Sequence, residues 1–441
     1  MQEMIKELEN KRIVILGFGR EGKSTYEFLR KHLGDIVIDV IDENIDILSE
    51  DNKEYYEDMN LNVIKTHEYL ELLNEYDIIF KSPGISFKGV DISSFESKIT
   101  SQLEMFLKYT DSLTIGITGT KGKSTTSSLI YSIIREQTEN VHFLGNIGKP
   151  IFTEIDEISK NDIVVIEISS HQAQYIKHSP HIGVVLNVFE EHLDHYNSYE
   201  EYINSKVNVL RYQTKEDFAI FNANDELLLK HINSANLKSN LIPISIKQKE
   251  KYDFFDFNHE RGILGEHNAF NIMVALEISK ILNLDLKRAT NTTYEFKSLP
   301  HRLEKVGTFD DVTYYNDSIA TIPEAAIMCI ETLKNVNTII IGGMDRGIEY
   351  EEFAKYLNEC NVENIICVYE TGKKILNMLM DENTTKNVKY FDDLKDATFY
   401  AKKITKKGKI CAMSPAAASY THFKNFEDRG NKFKEYVMSD M

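Results

Sequence analysis

Short apolar runs that stop at glycine, serine or aspartate, each followed by a stretch with helical spacing, recur along the whole chain. RIVILG (12–17), IVIDVID (36–42) and YDIIFKSPG (76–84) alternate with helical patterns such as KSTYEFLRKHL. SLTIGITGT (112–120), NDIVVIEISS (161–170), HIGVVLNV (181–188) and FAIFNAND (218–225) follow, and GEHNAFNIMVALEISKIL (265–282) reads as an amphipathic helix closing that stretch. NTIIIGGMD (337–345), NIICVYE (364–370) and GKICAMSP (408–415) make a third set. Buried runs alternating with helices call for parallel sheets with helical crossovers, hence an α/β protein. At roughly 150 residues per domain, the 441 residues have room for three, with changes of pattern at 1–100, 101–298 and 299–441.

Two of the strand-to-helix turns are rich in glycine, and they compete for one reading. LGFGREGKST (16–25) fits both G-x-G-x-x-G, through Gly17, Gly19 and Gly22, and the literal phosphate loop G-x-x-x-x-G-K-S. GTKGKST (119–125) lacks the first glycine of that loop, having Ile117 there. A phosphate loop also needs an acidic residue at the end of a neighbouring buried strand to help hold Mg²⁺. The second loop has one, Glu167 at the end of DIVVIE, whereas the first would set Glu21 against a triphosphate. The first strand is followed about twenty residues later by Asp42, the ribose-binding placement of a Rossmann unit. ATP therefore belongs to Gly119, Thr120, Lys121, Gly122, Lys123, Ser124 and Thr125. The earlier loop is either a site for another nucleotide or a tight turn of purely structural use. The expected fold is a Rossmann-like N-terminal domain, a central P-loop ATPase-type α/β domain and a C-terminal Rossmann-like domain.

Charge and composition exclude other classes. A net charge of −18 argues against sequence-independent nucleic-acid binding. No apolar run reaches the roughly 18 residues of a membrane span, and the charged N-terminus has no signal-peptide pattern. A cytoplasmic protein is the expectation. The four cysteines (Cys329, Cys360, Cys367, Cys411) have no metal spacing and are expected to be reduced and mostly buried.

These motifs together resemble the Mur ligases, which build the peptide stem of peptidoglycan, over nearly the whole chain. GTKGKST resembles the family's ATP loop, EISSHQ (167–172) its metal and substrate strand end, and GEHNAFN (265–271) its adenine segment. NVFEEHLDHYNSYEEYINSK (187–206) is similar to the segment ending in a lysine that becomes carbamylated, and LPHRLE (299–304) to the opening of the third domain. SPAAASYTHFKNFEDRGNKF (414–433) and SPGIS (82–86) resemble the glutamate-adding branch.

The resemblance implies ATP-dependent coupling of glutamate to UDP-N-acetylmuramoyl-L-alanine through an acyl phosphate, by a protein expected to be monomeric. Lys123, Glu167, His192 and Lys206 would be catalytic, with Ser124, Glu167, His192 and carbamylated Lys206 holding two Mg²⁺. Asn268 and Asn271 would meet adenine, and Arg302 and Asp317 the phosphate and ribose. Gly17, Phe18, Gly19, Arg20, Asp42, Ser82 and Gly84 would hold the uridine nucleotide, and Asn146, Ser169 and Gln172 the muramoyl part. Thr321, Arg346, Ser419 and Phe426 would bind the amino acid. Ile319 and Arg346 stand where glutamate-adding members often have lysine, which leaves D- and L-glutamate both open.

Overall fold

The computed structural model describes residues 1–43, 55, 57–66, 68–259 and 262–439. Its contacts divide the chain into two compact units, Met1–His259 with His267–Thr293, and 294–441 with 260–266.

The first unit holds two parallel sheets. β1 (Ile13–Leu16), β2 (Ile38–Ile41), β3 (Leu61–Ile64), β4 (Ile78–Lys81) and β5 (Ile99–Thr100) lie in the order β3-β2-β1-β4-β5. β6 (Leu113–Thr118), β7 (Val141–Gly145), β8 (Ile163–Glu167), β9 (Ile182–Val185), β10 (Phe218–Asn222) and β11 (Asn240–Ile244) lie in the order β11-β10-β9-β6-β8-β7. Each sheet places its first glycine loop where the strand order reverses, the crevice where open α/β sheets receive ligands. One apolar core runs from the first sheet into the second, from Ile13 and Leu29 through Phe106 and Phe152 to Val164 and Ile166. Helix Arg20–Leu33 contributes Phe28, whose ring lies 4.2 Å from that of Phe152.

The second unit holds one sheet. β12 (Glu304–Phe309), β13 (Val312–Asn316), β14 (Val336–Ile341), β15 (Asn364–Val368), β16 (Asn387–Phe391) and β17 (Ile410–Met413) lie in the order β12-β13-β17-β14-β15-β16. All pairs are parallel except β12 with β13, a hairpin that the apolar runs did not announce.

One expectation needs correction. The helix Glu266–Ile281 is not amphipathic: every side chain from Asn268 to Leu276 is buried, because the helix lies within the unit rather than on its surface. Three of the four cysteines are buried and all four are free, in line with mostly buried thiols; Cys360 is half-buried at the end of helix Glu351–Glu359.

Candidate functional site

The central loop is built by β6 and the helix Lys123–Arg135. Gly122 caps that helix with φ +89°, and a Cβ there would stand 3.0 Å from Asn271 Oδ1. Glycine is thus required both by conformation and by the approach of the Asn268–Asn271 pair, whose amides bond each other at 2.9 Å. The residues after β9 hold the loop from the other side. Asn187 accepts from the Lys121 N–H and donates to the Lys121 carbonyl, and its own carbonyl accepts from the Thr120 N–H. Tyr202 bonds the Thr120 hydroxyl at 2.8 Å. Lys123 donates to the Gly119 and Thr120 carbonyls at 2.8 and 3.0 Å, and Lys121 pairs with Glu191.

Glu167 ends β8, where Ile117 of β6 is its register partner. It is 1 % exposed; Oε1 accepts from Asn146 at 2.6 Å, while Oε2 is buried with no hydrogen-bond partner among the described residues. A buried carboxylate oxygen left unpaired costs free energy that a cation at that oxygen would return. Ser124, buried at the first turn of the loop's helix, offers a hard hydroxyl oxygen of the kind Mg²⁺ takes.

Lys206 is also 1 % exposed, and its Nζ donates to the Gly119 carbonyl at 3.0 Å, 4.5 Å from the centre of the Tyr202 ring. Burial, with Lys123 nearby, drives its pKa well below the ordinary lysine value. His192 has φ +60° and an exposed ring 4.8 Å from His171, which in turn lies 4.1 Å from His195. Burial pushes His171 down to about 3 and His195 to about 4, so both are neutral. This histidine group was not legible in the sequence, since His171 follows β8 and His195 follows β9, and only the fold brings their rings together. Among the described residues no three His, Cys, Asp or Glu side chains gather as a metal site. The expected set mixes serine and lysine with them.

The N-terminal loop is fastened differently. The Phe18 N–H donates to Asp42 at 2.6 Å, and Ser82 Oγ donates to the Gly17 carbonyl at 2.7 Å. The Phe18 ring is core, edge-on to Tyr26 and Tyr55, so only its backbone can face a ligand. Gly19, Arg20 and Gly84 are exposed. Ser169 and Gln172 form a reciprocal capping box at the start of the turn Ser170–Ala173.

In the second unit the ends of β13, β17 and β14 adjoin. Asp317 is 6 % exposed and accepts from the Leu303 N–H at 3.1 Å and Ser414 Oγ at 2.7 Å. Burial raises its pKa to about 7 against the attraction of Arg302, which is half-buried. Arg429, which lies in the 414–433 stretch with no role assigned to it there, is 1 % exposed and donates to the carbonyls of Ala417, Ala418 and Ser318. It thereby shapes the loop that carries buried Ser419. Ser318 Oγ donates to the carbonyl of half-buried Phe426. Thr321 is half-buried before helix Pro323–Leu333, and Arg346 stands exposed beyond β14. Among the described residues no helix is long and apolar enough to cross a membrane.

Residues 117–279 match the family model of the Mur ligase middle domain, and residues 301–417 that of the Mur ligase glutamate ligase domain. A UDP-N-acetylmuramoylalanine–D-glutamate ligase of Clostridium tetani is 32% identical, over 99% of this chain and 98% of the relative. The chain belongs to the Mur ligase family. A relative of the same name from Clostridium acetobutylicum is also 32% identical, over 99% of this chain and 98% of its own. The fold is shared with a solved Mur ligase, MurF of Thermotoga maritima in complex with ADP, at 16% identity, TM-score 0.61 and 99% coverage of both chains. The middle-domain match spans Lys123, Glu167, His192, Lys206, Asn268 and Asn271, while the glycine loop at 17–22 and Ser82–Gly84 lie outside both matches.

Proposed function

We propose that this Mur ligase joins the carboxylate of UDP-N-acetylmuramoyl-L-alanine to the amine of D-glutamate, using ATP to form an acyl phosphate. One observation carries the reading: a glycine–lysine loop, a buried Glu167 with a bare oxygen and a buried Lys206 meet at the carbonyl ends of neighbouring strands. The full-length likeness to relatives named for that reaction supports it.

A carboxylate is a poor electrophile, so the first task is to bring two anions together. The backbone of residues 119–125 and the Lys123 ammonium would hold the triphosphate, and Asn268 and Asn271 the adenine edge. Ser124 and Glu167 would hold one Mg²⁺, and His192 with Lys206 a second; the ions would supply positive charge between γ-phosphate and carboxylate. Lys206 is suited to capture carbon dioxide because burial favours its neutral amine. The amine nitrogen bonds the carbon, one proton leaves, and the carbamate presents two anionic oxygens.

Gly17, Phe18 and Gly19 backbone, with Asp42, Ser82 and Gly84, are assigned to the uridine nucleotide, and Asn146, Ser169 and Gln172 to the muramoyl part. Arg302 and Asp317 are assigned to the phosphate and ribose of ATP. Ser419, Thr321, Phe426 backbone and Arg346 are assigned to the amino acid, where Arg346 can grip a carboxylate with two N–H groups. Phosphate release with UDP-N-acetylmuramoyl-L-alanine, ATP-Mg²⁺ and each glutamate enantiomer tests the reading. Release with D-glutamate, abolished in Lys123→Ala, is expected. Release only with L-glutamate would transfer the assignment to that isomer, and no release with either would end it.

A further inference from the structure

GFGREGKS (17–24) answers the literal phosphate-loop pattern, yet the side chains of Arg20 and Glu21 do not face their own loop. Both cross from the first sheet of the unit to turns of the second. We propose that Arg20 and Glu21 are positioning residues that fasten the Gly145–Gly148 and Ser169–Gln172 turns, and through Asn146 the Glu167 carboxylate, to the N-terminal glycine loop. This rests on the ligase reading for what the positioned groups do.

Arg20 places its guanidinium on three backbone carbonyls of one turn: Asn146 at 3.0 Å, Gly145 at 3.3 Å and Gly148 at 3.4 Å. A planar fork spread over three acceptors fixes the orientation of that turn, which a single ammonium cannot do. Asn146 then reaches Glu167 twice, its N–H to the backbone carbonyl at 2.9 Å and its amide to Oε1 at 2.6 Å. The chain of contacts ends on the carboxylate whose other oxygen has no partner.

Glu21 accepts from Gln172 Nε2 at 2.5 Å. The Gln172 oxygen in turn accepts from Ser169, N–H at 3.0 Å and Oγ at 3.1 Å. Glu21 is itself anchored, since its backbone carbonyl accepts from Gln102 at 2.8 Å and Thr25 at 2.9 Å. Gln102 also uses its oxygen to accept the Phe152 N–H from the second sheet's side. Burial disfavours the charge on Glu21, and the fields of Arg20 and the buried Lys81 oppose that cost. Adhesion between two sheets needs no such group: apolar side chains do it with less desolvation. A half-buried carboxylate kept here specifies where Gln172 points.

The test uses the full-length protein and separates this role from direct ligand binding. Steady-state phosphate release is measured against sugar-nucleotide concentration for Arg20→Ala, Arg20→Lys, Glu21→Ala, Glu21→Gln and Lys31→Ala. Lys31→Ala cuts only the exposed contact of the same helix to Asp156. Hydrogen exchange of residues 143–149 and 167–173 is followed in the same proteins without ligands. Arg20→Ala and Glu21→Ala should lower kcat by about 10- to 100-fold with little change in KM, and both segments should exchange faster. Glu21→Gln, which keeps an oxygen for Gln172, should recover most of the rate. Arg20→Lys should not recover it, and Lys31→Ala should match the parent. A raised KM with kcat intact, rescue by Arg20→Lys, a Glu21→Gln as poor as Glu21→Ala, or unchanged exchange would each overturn the proposal. A parent protein that releases no phosphate would instead remove the ligase reading, and exchange alone would then decide the positioning role.

Discussion

Lys206 and Lys81 carry ammonium groups into places poorly suited to a charge, and each has a measurable consequence. Lys206 is buried at the Gly119 carbonyl beside another lysine. Its neutral amine is the form that adds carbon dioxide, and the carbamate would exchange an unwelcome cation for an anion among metal ligands. Lys206→Ala should cost about 10²-fold or more in phosphate release, and added formate or acetate should restore part of it. The parent should show a carbamate resonance with ¹³C-labelled bicarbonate, lost in the variant; absence of both rescue and resonance counts against the modification. Lys81 is 5 % exposed and its pKa is lowered to about 8, chiefly by burial, with Glu21 opposing. The unfolded chain therefore binds more protons than the folded one between about pH 8 and 10.5, and the parent gains stability as pH rises through that window. Urea melts at fixed ionic strength should show the difference between parent and Lys81→Met moving toward the parent, by up to roughly 3 kcal/mol. A difference flat from pH 7 to 10.5 would sink this account of Lys81.

At the scale of elements, the buried strands were legible and the edges were not. IVIL of β1, VNTIII of β14 and NIICV of β15 are buried at every position, and a run of three or four apolar residues within each marks it. β3, β11 and β16 lie at sheet edges, where about half of each strand meets water, so LNVI, NLIPI and NVKYF have no such run. The same reason hid the β12–β13 hairpin at an edge of the third sheet. Site residues on glycine loops were legible because phosphate chemistry demands a short motif. Those that work by tertiary contact were not: Asn187, Tyr202, Glu21 and Arg429 have no local spacing to betray them. Arg429 makes the strongest prediction of this kind. It satisfies the carbonyls of Ala417, Ala418 and Ser318 and receives little help from water. Arg429→Met would orphan the buried Ala417 and Ser318 carbonyls at about 1–3 kcal/mol each, while Ala418 keeps the Met344 N–H. Denaturation should therefore show a loss of at least about 2 kcal/mol, and a variant within 1 kcal/mol of the parent would show that the loop finds other donors.

For the molecule as a whole, the two glycine loops pose one question of allocation, because both follow a buried strand and both end in Gly-Lys-Ser. Their surroundings differ. The central loop faces Glu167, with its bare oxygen, and the amides of Asn268 and Asn271. The N-terminal loop faces Asp42 and Ser82, which already hold its backbone, and its would-be cradle residues Arg20 and Glu21 are engaged on other turns. A triphosphate needs cations and hydrogen-bond donors, so we allocate it to the central loop, and a uridine nucleotide, needing a carboxylate for ribose, to the other. Hydrogen exchange with a non-hydrolysable ATP analogue should slow residues 116–125, and with a UDP-sugar should slow residues 15–22 and 82–85. At a hundredfold excess over Kd the analogue should add about 2.7 kcal/mol of stability, and Lys123→Ala should lose that gain while keeping the response to the UDP-sugar. Protection by the ATP analogue at 15–22, with the central loop unaffected, would reverse the allocation and with it the assignment of Lys123, Glu167 and Lys206 to the chemical step.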